Sequence, residues 1–233
     1  MRVEAILSAV LLPLVGIYIV ISLLLFDDIR NMTLQQYVLV GPVAYGLGSI
    51  PWGYMLSRFV SGVDVRLHGS GSTGMTNVMR SSGLKIGIMV LCLDVSKGVL
   101  AVVFANAVSN YSPGVVVFAG ILVVIGHNWP ITLKFKGGKG VATGSGVTLV
   151  ILPEALVVGA AIFLIMTMWR RYVSLGSLSA VVAANLCLII FSGIGQLSVA
   201  YVWYGLVSAV IIFWSHRGNV NRLLNGTERK LGD

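Results

Sequence analysis

Residues 139–171 read KGVATGSGVTLVILPEALVVGAAIFLIMTMWRR, an apolar run closed by Lys139 at one end and by Arg170 and Arg171 at the other. Lysine and arginine mark the cytoplasmic ends of membrane spans. Both ends of this run therefore belong on one side, and the chain must cross an even number of times between them. Pro153 stands near the middle, where proline ends one helix and opens the next. The run is read as two short helices, 140–152 and 154–169. The first would reach only about 20 Å, against about 30 Å of bilayer hydrocarbon. A helix that short, opening at a Gly-Lys loop, draws the loop into the membrane, where a site can form.

The flanking sequence repeats the pattern. Of the 233 residues 57% are hydrophobic and 10% charged, with a mean hydropathy of +0.93. Soluble domains carry about a quarter charged residues, so the expected class is an all-α integral membrane protein, a polytopic helical bundle. Further apolar runs cover about 5–26, 37–59, 86–108, 115–133, 173–193 and 198–214. The loops Arg58–Lys85 and Lys134–Lys139 and the tail Arg217–Lys230 are basic, whereas 109–114 and 193–197 carry no charge. These assignments predict eight crossings with both termini cytoplasmic. Run 5–26 lacks a small-x-small cleavage site before Phe26-Asp27-Asp28 and is read as a retained helix. Residues 1–36 then form an extra N-terminal transmembrane helix and loop, and 37–233 the main membrane domain. The net charge of +8 lies in short loops between spans, which points to orientation and anionic ligands and not to nucleic acid. Cys92 and Cys187 both fall inside apolar runs, so no disulfide framework is implied. Scattered histidines without a cysteine pair give no metal site.

Four polar clusters fall on the predicted cytoplasmic side: Gly69–Arg80 (GSGSTGMTNVMR), Gly126–Gly144 (GHNWPITLKFKGGKGVATG), Arg171–Ser177 (RYVSLGS) and His216–Asn221 (HRGNVN). Loops converging on one face suit an active site, whereas transport sites tend toward the bilayer midplane. Gly69, Gly71 and Gly74 spell G-x-G-x-x-G, but no parallel sheet is there to use it. What remains is backbone able to approach a phosphate, the hydroxyls of Ser70, Ser72 and Thr73, and the planar fork of Arg80. The second cluster resembles a Walker A loop and fails the test, because Gly140 follows Lys139 and Leu133 replaces the first glycine. Lys139, between Gly138 and Gly140 at a helix start, still makes an anion site. Lys134 and Lys136 read as orientation and headgroup contacts. No His-x-x-x-x-Asp occurs, since Thr73, Thr132 and Asn221 stand where the aspartate would be. Asp94 and Lys97, one turn apart inside a span, read as a mutually neutralising structural pair.

Taken in order, GSIPWGY (48–54), GSGSTGMTNVMR, LDVSKG (93–98), GHNWPITLKFKGGKGVAT, RYVSLGS and HRGNVNRLLNGTE (216–228) resemble the PlsY family, the bacterial acyl-phosphate:glycerol-3-phosphate acyltransferases. The resemblance covers about residues 38–230. It implies a seven-helix core, to which 1–36 is extra, in the bacterial inner membrane with its active site cytoplasmic. It implies a cofactor-free monomer taking acyl phosphate and glycerol 3-phosphate. By motif position it places catalysis on Ser70, Arg80, Lys139, His216 and Asn219, and substrate contact on Gly71, Asn77, His127, Gly138 and Ser177. Ser72 stands where the family more often has Asn, Met75 where it has Ala, and Gly176 where Ala is usual. The chemistry implied needs cations for two phosphates more than a strong base; the base is either a substrate phosphate oxygen or His216. The rival reading is a small transporter of an anion or phospholipid with Asp94 and Lys97 as its midplane site, although no inverted repeat is visible.

Overall fold

A computed structural model describes residues 34–232, and among them every regular element is helical. Within hydrocarbon the backbone must satisfy its own hydrogen bonds, which leaves apolar runs little choice but helix. Helix α1 spans Leu34–Gly48 and α2 spans Trp52–Ser61. The run expected to continue over 37–59 is thus broken at residues 49–51. Pro51 lacks the amide that helix continuation requires and bars Ile50 from helical backbone. A 3-10 turn at Val65–Leu67 follows, then α3 (Met75–Ser82) and α4 (Leu84–Ser109), which meet at Gly83 with φ 95°.

Next come α5 (Pro113–Asn128), a 3-10 turn at Ile131–Leu133, α6 (Val141–Ile151) and α7 (Pro153–Arg170). The break anticipated at Pro153 is present, with Leu152 the sole link between two helices. At 11 residues, α6 reaches about 16 Å. Helices α8 (Val173–Gly193), α9 (Ala200–Ser215) and α10 (Arg217–Leu224) complete the chain. The segments 84–109, 113–133, 153–170 and 173–193 are long and apolar enough to cross a bilayer, and the chain is an integral membrane protein. The first helix of the core starts at Leu34, three residues before the expected 37. The expected helix at 5–26, and with it nearly all of the 1–36 segment, lies outside the described residues.

Lipid supplies no hydrophobic drive between helices, so close packing through small residues carries the association. At the α4–α6 crossing a Cβ on Gly98 would stand 2.2 Å from the Thr143 carbonyl oxygen, and one on Gly146 2.0 Å from that of Val95. At α1–α5 a Cβ on Gly48 would meet the Val123 carbonyl at 2.3 Å, and one on Gly126 that of Tyr45 at 2.4 Å. Along α5 and α6 these contacts lie within two turns of the loop that carries Lys139, and they hold those helix ends together. Asn128 pairs with Ser215 across the same end of the bundle (Nδ2 to Oγ, 2.9 Å). The links at 110–112, 152 and 194–199 join the other ends of these helices.

Candidate active site

The loop after α5 explains the glycines of FKGGKG. Gly137 N donates to Asn128 O (3.1 Å) and Gly138 N to His127 O (3.0 Å), so the loop folds straight back onto the last turn of α5. A Cβ on Gly137 would lie 2.2 Å from His127 O, and one on Gly138 1.9 Å from His127 Nε2. Gly140, at φ 86°, makes the left-handed step into α6. These glycines therefore serve close packing, and the amides of Gly137 and Gly138 are turned to α5. Beyond Gly140, the first turn of α6 leaves amides that helix geometry does not satisfy, beside Lys139.

The first loop is likewise bonded to itself and to its neighbours. Asn77 holds it from within: Oδ1 accepts from Ser70 N (3.0 Å), and Nδ2 donates to the carbonyls of Val65, His68 and Ser72. Gly71 N donates to His68 O, Thr73 N to Gly137 O and Gly74 N to Ser72 Oγ. These four amides are engaged within the protein. What the loop presents outward is the Ser70 hydroxyl and, from the last turn of α3, the guanidinium of Arg80.

Ser70, Arg80, Lys139, Ser177, His216 and Asn219 line one cavity of about 720 Å³, together with Asn77 and His127. Gly71 and Gly138 are not among the residues that line it. Lys134 and Lys136 are exposed and take no part in it. The cavity runs from these polar groups into an apolar cleft beside Leu156, Phe163 and Leu164 of α7 and Val181 and Leu188 of α8. Its side reaches Met168, 77% exposed, and Leu164, 56% exposed, on the surface that meets lipid.

At the polar end Lys139 Nζ donates to Asn219 Oδ1 at 2.5 Å. Asn219 Nδ2 donates to Glu228 Oε1 (2.6 Å), which also accepts from Ser174 Oγ (2.7 Å), while Arg222 Nε donates to Oε2 (2.7 Å). With its Nδ2 turned to Glu228, Asn219 points its carbonyl oxygen at Lys139 and fixes the ammonium. Burial favours the neutral form of Lys139 and lowers its pKa to about 8; Glu228 opposes this, and Arg222 and Arg80 add to it. Burial also opposes ionisation of Glu228, but the bonds from Asn219, Ser174 and Arg222 outweigh it and hold the carboxyl below its usual range. His216 is 3% exposed. Burial first and the Lys139 charge second bring it down to about 4, so it is neutral at pH 7. Its Nδ1 lies 2.9 Å from Ile212 O. A carbonyl only accepts, so Nδ1 carries the proton and Nε2 keeps its lone pair.

The sequence reading missed Ser174, Arg222 and Glu228, although all three lie inside motifs it singled out. It also missed a His–Asp contact built between helices: His127 Nδ1 lies 3.5 Å from Asp94 Oδ1. The Asp94–Lys97 pair is present at 3.0 Å. Lys97 also donates to Gly48 O and Ile50 O, which uses all three ammonium protons and leaves none for a transported ion.

The glycerol-3-phosphate acyltransferase family model matches residues 38–226. A glycerol-3-phosphate acyltransferase of Halalkalibacterium halodurans is 42% identical over 202 residues, covering 86% of this chain and 97% of the relative. One from Myxococcus xanthus is 43% identical over 191 residues, covering 81% and 96%. Among solved structures, the glycerol 3-phosphate form of PlsY, an integral membrane glycerol 3-phosphate acyltransferase, superposes with a TM-score of 0.78 at 37% identity, covering 84% of this chain and 95% of that one. Its lysophosphatidic acid form gives 0.76 at 36% over the same shares.

Proposed function

The chain belongs to the glycerol-3-phosphate acyltransferase family, and from that premise we propose that it moves a fatty acyl group from acyl phosphate to the 1-hydroxyl of sn-glycerol 3-phosphate. The observation that carries this reading is one cavity joining Lys139, Arg80, His216 and Asn219 to an apolar cleft between helices. A phosphate suits the first part and an acyl chain the second. The products are lysophosphatidic acid and inorganic phosphate. The site faces the cytoplasm of a bacterial inner membrane, with the basic loops on that side, and a monomer contains every group the reaction uses.

Acyl phosphate is a mixed anhydride, already activated, so the protein's task is placement and charge. The acceptor's hydroxyl oxygen attacks the acyl carbon and forms the ester C–O bond. The bond from acyl carbon to phosphate oxygen breaks, and its electron pair leaves with phosphate. Lys139 and Arg80 offset the repulsion between the two phosphates and stabilise the charge that grows on the leaving group. Ser70 offers a hydroxyl donor, Ser177 donates its proton to Val173 O (2.9 Å) and presents its oxygen to the cavity, and Asn219 holds the ammonium in place. The Nε2 lone pair of His216 orients the attacking hydroxyl. With a pKa of about 4 its ring is too weak a base to keep the proton, which passes to an oxygen of the departing phosphate. Holding acceptor and acyl carbon in register supplies much of the remaining acceleration.

Purified protein in a lipidic medium, given acyl phosphate and glycerol 3-phosphate, should release phosphate and form lysophosphatidic acid in equal amounts without a sealed compartment. Acyl-CoA accepted as readily as acyl phosphate would overturn the donor assignment. Turnover seen only across a sealed membrane would restore the transporter.

A further inference from the structure

Asp94, Lys97 and His127 form a buried ionisable cluster with no part in the steps above. They are 1%, 2% and 5% exposed. Lys97 Nζ donates to Gly48 O at 3.0 Å and to Ile50 O at 3.2 Å, at the α1–α2 junction. Its third contact is Asp94 Oδ1 at 3.0 Å. The same carboxylate oxygen faces His127 Nδ1 at 3.5 Å, and Asp94 Oδ2 has no hydrogen-bond partner within the protein. The far edge of the His127 ring lies against Gly138, so close that a Cβ there would stand 1.9 Å from Nε2. The next residue is Lys139.

An ion pair at this depth is costly, and apolar side chains of similar size often replace one without loss of stability. Helix association here has another source in the glycine crossings of α1 with α5 and α4 with α6. What the charges add is direction. Lys97 ties the carboxylate to the end of α1, the carboxylate faces the imidazole across 3.5 Å, and the imidazole forms the surface on which Gly138 rests.

We propose that Asp94, anchored by Lys97, is a positioning residue for acyl transfer: it holds the His127 ring against Gly138 and thereby sets where the Lys139 ammonium stands in the cavity. This rests on the reading that Lys139 holds substrate phosphate. Asp94 and His127 both border the cavity, and the part assigned to Asp94 here travels through His127 and the loop, which is why its dependence on Lys139 is the readout.

Asp94→Asn alone would leave a buried ammonium without its counter-charge, so the informative variant is Asp94→Asn combined with Lys97→Met. It is compared in two backgrounds, wild type and Lys139→Ala, with thermal melting to establish folding and with kcat and KM for glycerol 3-phosphate measured separately. A displacement of about 1 Å costs on the order of 10²-fold in rate. The paired variant should therefore lose about 10–10²-fold in kcat/KM when Lys139 is present. In the Lys139→Ala background the further loss should stay within about threefold, because no ammonium remains to be placed. A general packing role would lower activity equally in both. Equal losses, or a folded paired variant as active as wild type, would overturn the proposal. If the paired variant does not fold, His127→Asn carries the same test with the Asp94–Lys97 pair intact. It should show the same dependence on Lys139, and the proposal fails if it does not. Full activity in Lys139→Ala itself would instead sink the underlying reading of Lys139.

Discussion

Replacing Lys139 and Lys134 by alanine in turn separates a substrate contact from general surface charge. Both lysines lie in the loop between α5 and α6, five positions apart, and both add one positive charge to the same face. They differ in surroundings. Lys139 is on the cavity wall, hydrogen-bonded to Asn219 and desolvated enough to lower its pKa to about 8; Lys134 is exposed. At pH 7 a group with a pKa of about 8 is charged in about nine molecules of ten. An exposed charge is screened over about 8 Å at physiological ionic strength, whereas a partly desolvated one acts on its ligand at close to full strength. Losing a charge-assisted contact that strengthens in the transition state costs about 10²–10³-fold in kcat. Lys139→Ala should show that loss, and Lys134→Ala should stay within about threefold. Lys139→Arg should recover part of the rate, since a planar fork between Gly138 and Gly140 does not reproduce a compact ammonium. Steady-state phosphate release on folded protein, checked by thermal melting, is the assay. Comparable losses at 134 and 139 would refute the reasoning, because the effect would then be bulk electrostatics.

The pKa of about 8 on Lys139 also sets a sign: as pH rises through 8 the free enzyme loses its ammonium, so kcat/KM for glycerol 3-phosphate should fall. Lys139→Arg, slower at pH 7, should lack that alkaline limb, since a guanidinium stays charged. Gly146→Ala would set a Cβ 2.0 Å from the Val95 carbonyl oxygen, whereas Gly46→Ala meets nothing within 4 Å. The first should lower Tm by an amount equivalent to about 1–3 kcal/mol and the second should leave it unchanged; equal melting would mean that the α4–α6 crossing is not tight. Glu228→Gln turns one acceptor oxygen into a donor amide and unseats Asn219 or Arg222, so turnover should drop roughly tenfold with a lower Tm; unchanged kinetics would show that Asn219 holds Lys139 without help. Single cysteines at 112, 154 and 195, in protein lacking Cys92 and Cys187, should label from outside the cell and cysteines at 170 and 230 only from the cytoplasm. Labelling of position 154 from the cytoplasm alone would overturn the crossing of α6 and α7.

Hydropathy located the helices because lipid forces an apolar chain into helix wherever it crosses. It failed at residues 49–51, where the chain turns while remaining apolar, and the signal available there was Pro51. The division at Pro153 was legible because charge at both ends demanded an even number of crossings. Within the site, the side chains at Ser70, Arg80, Lys139, His216 and Asn219 were found by motif and share one cavity. What glycine does could not be read from composition. The same residues suit phosphate approach and tight packing, and only hydrogen-bond partners show that Gly137 and Gly138 pack against α5. Glu228 and the Asp94–His127 contact depend on which helix faces which, which no local pattern encodes.

The cavity has charged loops at one end and exposed Leu164 and Met168 along its flank, and this decides how concentration enters the kinetics. On the proposed reaction, one substrate is counted in moles per litre of water and the other in molecules per area of membrane. Diluting the protein with detergent or inert lipid at fixed total acyl donor should slow the enzyme as the donor thins out within the bilayer, while saturation by glycerol 3-phosphate stays tied to its bulk concentration. In the cell the rate would follow both the supply of a water-soluble metabolite and the crowding of a two-dimensional film, and a product with one acyl chain would leave into that film along the flank.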